Sequence, residues 1–144
     1  MLSFDIQPFM KFSSALSMAC LCVLTNACGY NVPEEVQLAY SELPKEVDVN
    51  FDVKPMLSDK CYACHGQDEK KREAALRLDV AEEAYKDLGD DRIYQAIVPK
   101  NPAQSMLVQR IMSTDPDLIM PSPDSHLKLT LKEKAILIKW IEQG

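Results

Sequence analysis

Histidine is scarce in this chain, with two among 144 residues, and cysteine stops at position 64. Beyond Cys64 and His65 no cysteine and only one histidine, His126, remain, so a structural zinc site would be short of its four ligands. Positive charge is short as well. Lys and Arg number 16 against 22 Asp and Glu, giving a net charge of −6 and a pI near 4.9. No nucleic-acid partner is expected from that balance. No apolar run is long enough for a transmembrane helix, which needs about 20 residues. No βαβ pattern surrounds the paired cysteines, as a thioredoxin-like dithiol would require. Nor is there a disulfide framework: Cys20, Cys22 and Cys28 sit in an apolar N-terminal stretch, and Cys61 and Cys64 lie within five residues. No constellation suited to processing a substrate stands out, so the chain is not expected to be an enzyme.

What is there is Cys61-Tyr62-Ala63-Cys64-His65. A C-x-x-C-H run is the attachment signature of a c-type haem. Two thiols add across the haem vinyl groups, and the two intervening residues set them about one helical turn apart. His65, next in sequence, is placed to give its imidazole to one axial position on iron. Chance supplies roughly 0.002 such runs in a chain of this composition. Cys61 and Cys64 are therefore expected to bind one covalent haem c, and His65 the iron. A haem also helps a small domain bury its apolar side chains.

The chain divides into three expected regions. Residues 1–27 are expected to be a signal peptide, with Lys11 as a short basic region and residues 12–25 as its apolar core. The first nine residues carry Asp5 and no positive charge, so the native start is expected at Met10. Leu24-Thr25-Asn26-Ala27 before Cys28 resembles a bacterial lipobox, which would make Cys28 a lipid anchor; ordinary cleavage after a small residue is the alternative. Export to the periplasm, or to the periplasmic face of a membrane, follows either way. Residues 28–49 are acidic and read as a tether, in which residues 36–40 form at most a turn of helix. Some twenty extended residues span about 60–70 Å.

Residues 50–144 are expected to fold as the haem domain. Asp52 is expected to cap a short helix with Pro55 in its first turn, delivering Cys61. Gly66 lets the backbone turn away after His65. The run Asp68-Glu69-Lys70-Lys71-Arg72 carries both signs and reads as a solvated surface. Residues 80–88 read as a helix capped by Asp79 and stopped by Gly89, and residues 91–98 as a short helical or extended piece. Asn101-Pro102 opens the approach to a helix over 105–112, with Met106 and Met112 as core fillers. Thr130 to Glu133 is a capping box for the last helix, whose buried stripe is Leu131, Ala135, Ile138 and Ile141 or Trp140. The first and last helices are expected to cross near Phe51 and Trp140.

The iron's second axial ligand is expected to be Met120. It stands in a proline-broken loop over 114–125, followed by Pro121 and Pro123, which restrict the loop. Met56 lies on the element carrying the cysteines, and Met106 and Met112 lie in a helix. His126 is the alternative, and an open site the third reading. A thioether raises the reduction potential relative to a second histidine.

These residues resemble the planctomycete-type cytochrome c domain, a small class I-like c-type cytochrome. The likeness runs over residues 49–144. It rests on Phe51 through Lys60 leading into the haem motif, His65-Gly66, Leu76-Arg77-Leu78-Asp79, Val98-Pro99-Lys100-Asn101-Pro102, Asp115-Pro116-Asp117, Met120-Pro121 and Lys139-Trp140-Ile141-Glu142-Gln143-Gly144. The resemblance implies covalent haem at Cys61 and Cys64, His65 as proximal ligand and Met120 as distal ligand. Ser122 stands where the family continues its proline run, and Ile119 where a basic residue is common. The expected fold is all-α, a small cytochrome c-like domain of four or five helices around one haem. The expected function is one-electron transfer with redox partner proteins. The rival is a haem-bearing sensor or structural module, or the front part of a larger multi-domain protein.

Overall fold

The computed structural model describes residues 31–88 and 94–144. The expectations for the signal peptide and for Cys28 lie outside the described residues. Among the described residues six α-helices dominate: α1 (Glu34–Ser41), α2 (Lys54–Lys60), α3 (Tyr62–His65), α4 (Ala81–Ala84), α5 (Met106–Met112) and α6 (Leu131–Gln143). One short antiparallel pair interrupts them, β1 (Asp87–Leu88) against β2 (Tyr94–Gln95), with Asp87 opposite Gln95 and Leu88 opposite Tyr94. The helical architecture is compatible with a small cytochrome-like domain.

The organising element is α6. Thr130 caps it, its hydroxyl accepting from Glu133 N–H at 3.2 Å while the Glu133 carboxylate accepts from Thr130 N–H at 2.7 Å. This is the expected capping box. Ala135, Ile136, Leu137, Ile138 and Ile141 are buried, whereas Leu131, expected in the stripe, is 44 % exposed. Gly144 ends the helix at φ +85°, a left-handed position that glycine takes without strain.

Two apolar clusters share α6. One gathers Val36, Leu78, Ile97, Val108, Ile138 and Ile141; the other gathers Val47, Val53, Leu57, Ile111, Ile136 and Leu137. Trp140, Cys61 and Tyr62 pack against both. The segment that opens at Cys61 is thus seated where the two halves of the core meet.

The reading of 36–40 as at most a turn within a tether is corrected. Helix α1 forms there and lies along α6, with Val36 only 1 % exposed. Val36, Ala39, Tyr40 and Leu43 recur at helical spacing and all pack on the first cluster. The surrounding carboxylates concealed that stripe. Glu34 and Glu35 also stand in the first turn, where negative charge suits the helix dipole. Tyr40 donates its hydroxyl to the Glu142 carboxylate, and Lys139 Nζ lies 4.9 Å above the Tyr40 ring. Farther on, the Gln143 amide brackets the backbone of Val47, accepting from its N–H at 2.8 Å and donating to its carbonyl at 3.0 Å.

The entry to α2 differs by one turn from the expectation. Asp48, not Asp52, is the cap, accepting from Asn50 N–H and Phe51 N–H at 2.7 and 3.0 Å. Asp52 returns the bond by accepting from Asp48 N–H at 2.7 Å. A π-helical turn, Val49–Val53, results, and it runs straight into α2 with Pro55 in the first turn. Phe51 is 84 % exposed and Val53 fully buried, so Val53, not Phe51, meets α6 here.

The helix expected over 80–88 ends at Ala84. Its intended cap, Asp79, is held instead by Arg77, whose Nη2 and Nε donate to the carboxylate at 2.6 and 3.1 Å. Downstream, the Gln95 amide donates to the Tyr85 carbonyl and the Asp87 carboxylate, which favours pairing of β1 with β2 over another helical turn. Asn101 caps a 3₁₀ turn, Pro102–Gln104, and Ser105 is fully buried with its hydroxyl donating to the Asn101 carbonyl at 2.9 Å. Those bonds aim α5 across α6.

Candidate haem-binding site

Helix α2 hands over to α3 at Cys61. Cys61 N–H closes α2 on the Leu57 carbonyl at 2.8 Å, while the Cys61 carbonyl accepts from Cys64 N–H and His65 N–H at 3.2 and 2.8 Å. The motif is therefore one helical turn, and residues three apart on such a turn share a face. Cys61 and Cys64 are not joined to each other or to another cysteine.

The two thiols differ in surroundings. Cys61 is half-buried against both clusters, and Cys64 is exposed. Burial pushes the Cys61 thiol up to about 11, with the charges of Cys64 and Glu133 adding to the effect. His65 is half-buried, and burial holds its pKa below the ordinary value against a smaller upward pull from the Glu73 main chain and carboxylate. Its Nδ1 is shut away from solvent with no hydrogen-bond partner. Buried polar atoms are nearly always partnered, so this orphan calls for an explanation. Only one nitrogen of an imidazole binds a metal while the protein orients the other, so the buried Nδ1 would leave Nε2 as the donor.

Gly66 is required by close approach. A Cβ there would stand 2.4 Å from the Tyr62 carbonyl oxygen. The chain then loops out over 67–72 and returns. Glu73 N–H donates to the Cys64 carbonyl and Leu78 N–H to the His65 carbonyl, both at 2.8 Å. Leu76 and Leu78 pack into the first cluster. An open cleft of about 670 Å³ flanks the turn, lined by Lys54, Pro55, Ser58, Tyr62, Gln67, Asp68 and Asp79. It carries none of Cys61, Cys64, His65 or Met120, so it flanks the turn away from those side chains.

Met120 is half-buried in the loop after α5 and belongs to neither apolar cluster. Its N–H donates to the Arg110 carbonyl at 3.1 Å, which ties the loop to the end of α5. A 3₁₀ turn, Pro123–Ser125, follows, capped by Ser122 and ended by the exposed His126 at φ +56°. Met56 and Met112 pack into the core, while Met106, expected as a core filler, is half-buried and outside both clusters. Sequence reasoning missed Arg72, whose Nε donates to the Gly66 carbonyl at 3.0 Å; its place in a mixed-charge run gave no signal for this.

The donor set fits a c-type haem: two unpaired thiols on one turn, the next histidine with an orphaned ring nitrogen, and apolar packing around Cys61. Among the described residues no three of His, Cys, Asp and Glu converge as a metal cluster would.

The family described as Planctomycete cytochrome C matches residues 61–124, from Cys61 to just past Met120-Pro121. No curated protein and no solved structure matches the chain. Over that span the motif, the returning loop and the Met120 segment all lie within the match, which supports a planctomycete-type cytochrome c domain there.

Proposed function

We propose that the protein is an exported c-type cytochrome that transfers single electrons through one covalent haem. Cys61 and Cys64 would hold the haem by thioether bonds, and His65 and Met120 would give its iron an imidazole nitrogen and a thioether sulfur. The bound group supplies the Fe(II)/Fe(III) couple. Everything else is the chain's work. Each thiol would give up its S–H bond as a vinyl C=C is saturated, with one C–S and one C–H bond in their place, so attachment would need no oxidant. The turn from Cys61 to His65 presents both sulfurs and the imidazole from a single rigid segment. Burial around Cys61 and Leu78 lowers the local dielectric, and Met120 contributes a soft neutral donor that favours ferrous iron.

The observation that carries this reading is the His65 turn itself, with free thiols at Cys61 and Cys64 and a buried, unpartnered imidazole nitrogen. Residues 1–27 act as the export signal and Cys28 as the attachment point to a membrane, with residues 50–144 as the haem domain. Cytochrome c domains are usually exported, and among the described residues no helix is long and apolar enough to cross a membrane. Its partners are redox proteins. The test is an optical spectrum of protein matured by a haem-attachment system, oxidised, reduced and under carbon monoxide. Electron transfer with two protein ligands gives a six-coordinate low-spin spectrum indifferent to carbon monoxide. A five-coordinate spectrum that responds to the gas favours a sensor with an open site.

A further inference from the structure

A single helical turn is a poor place to fix a ligand. It has too few internal hydrogen bonds to hold itself, and its last carbonyls are left without partners. Here the carbonyls of four successive residues at the end of α3 are all taken. The Cys64 carbonyl accepts from Glu73 N–H and the His65 carbonyl from Leu78 N–H, each at 2.8 Å. The Gly66 carbonyl accepts from Arg72 Nε and the Gln67 carbonyl from Arg72 Nη2, each at 3.0 Å. All four donors come from residues 72–78.

We propose that Arg72 is a positioning residue for His65, its guanidinium bracing the chain that leaves the imidazole by gripping two consecutive carbonyls. The proposal rests on His65 as an axial ligand. The peptide on the N-terminal side of His65 is fixed by its own N–H on the Cys61 carbonyl at 2.8 Å, and the one on its C-terminal side by Leu78. Arg72 fixes the next two peptides, so the direction of the His65 side chain is set from both sides. Only arginine has the planar fork to serve two such acceptors; a lysine ammonium is a point charge. The bracing also works against strain. Immediately after it, Ala74 and Ala75 both stand at φ +52°, a left-handed conformation that alanine resists. Such residues persist only where the surroundings over-determine them. Neighbouring Lys70 and Lys71 do not share the role: Lys71 reaches only Asp68, at 3.9 Å and largely exposed.

The test uses the matured full chain as wild type, Arg72→Ala, Arg72→Lys and, as a control, Arg77→Ala, whose guanidinium holds Asp79 and no carbonyl of the turn. The first readout is the pH at which acid detaches the axial histidine, followed in the spectrum while the haem stays covalently attached. A less well-held imidazole loses to protons at higher pH, so Arg72→Ala is expected to raise that midpoint by about one unit, a tenfold change. The second readout is hydrogen exchange at the Glu73 and Leu78 amides, expected to accelerate by about tenfold in Arg72→Ala. Arg72→Lys is expected to fall between, and Arg77→Ala to leave the midpoint unmoved. A wild-type midpoint in Arg72→Ala overturns the proposal, as does an equal shift in Arg77→Ala. If the wild-type protein holds no covalent haem, the functional reading fails separately. The exchange readout then still decides whether Arg72 braces the turn, and unchanged protection in Arg72→Ala overturns it.

Discussion

The segment over 61–79 and the loop over 113–126 supply the proposed axial ligands, and they are held by different means. The first is closed on itself from two directions, with backbone and guanidinium donors from 72–78 on the carbonyls of 64–67. The second relies on short-range turns: Leu118 and Ile119 N–H on the Asp115 carbonyl, Ser125 on Ser122, and two ties to α5 through Arg110. The histidine side is over-determined and the methionine side lightly anchored. A ligand set built this way should exchange at Met120 first and at His65 last.

The largest effect expected is on attachment. Replacing both Cys61 and Cys64 by alanine should abolish all haem that survives acid-acetone extraction, since thioethers are covalent and axial bonds are not. Retention of extraction-resistant haem in that variant would remove the distinction between the two segments altogether.

Met120→Ala comes next. The haem should stay attached, carbon monoxide should bind the reduced protein, and the weak near-infrared band of ferric thioether ligation should vanish. The reduction potential should fall by at least about 59 mV, the equivalent of a tenfold change in relative ferric over ferrous stability. Folding stability should change little, because Met120 lies outside both clusters. If that band survives in Met120→Ala and is lost in Met106→Leu, the ligand has been assigned to the wrong residue.

How much of this the sequence disclosed follows from what fixes each part. The turn from Cys61 to His65 was legible because the chemistry proposed for it dictates its spacing, and α6 because its capping box is local. Helix α1 was not, since only Val36, Ala39, Tyr40 and Leu43 carry its pattern and acidic residues dilute it. The cap at Asp79 failed because Arg77 competes for the same carboxylate. The role of Arg72 becomes visible only once the fold brings the Gly66 and Gln67 carbonyls within reach.

A third effect separates the thiols within the better-held segment. In haem-free protein at pH 8, alkylation should modify exposed Cys64 and largely spare Cys61. With its thiol at about 11, Cys61 is ionised to roughly one part in a thousand at that pH. Its modification rate should climb about tenfold per pH unit until it levels off near pH 11. Equal labelling of the two at pH 8, read by peptide mass spectrometry, would contradict the burial of Cys61.

Smaller still are the core methionines. Met112→Leu should cost at most about 1.5 kcal/mol in thermal or denaturant unfolding and leave the spectrum unchanged, as volume-conserving swaps do. Last, Ala74→Gly and Ala75→Gly should each stabilise the fold by about 0.5 kcal/mol. Relief of the left-handed strain exceeds the entropy that glycine adds to the unfolded chain. Destabilisation by both glycines would mean that the loop over 72–78 is not working against strain.

The central claim is that this domain cycles one electron at a haem closed on both sides by the protein. A potentiometric titration of the matured wild-type protein, followed at the haem bands and repeated under carbon monoxide, tests it most directly. A single reversible one-electron step at the same potential with and without the gas is the predicted result. A potential displaced by carbon monoxide, or a protein with no reversible haem signal, would contradict it.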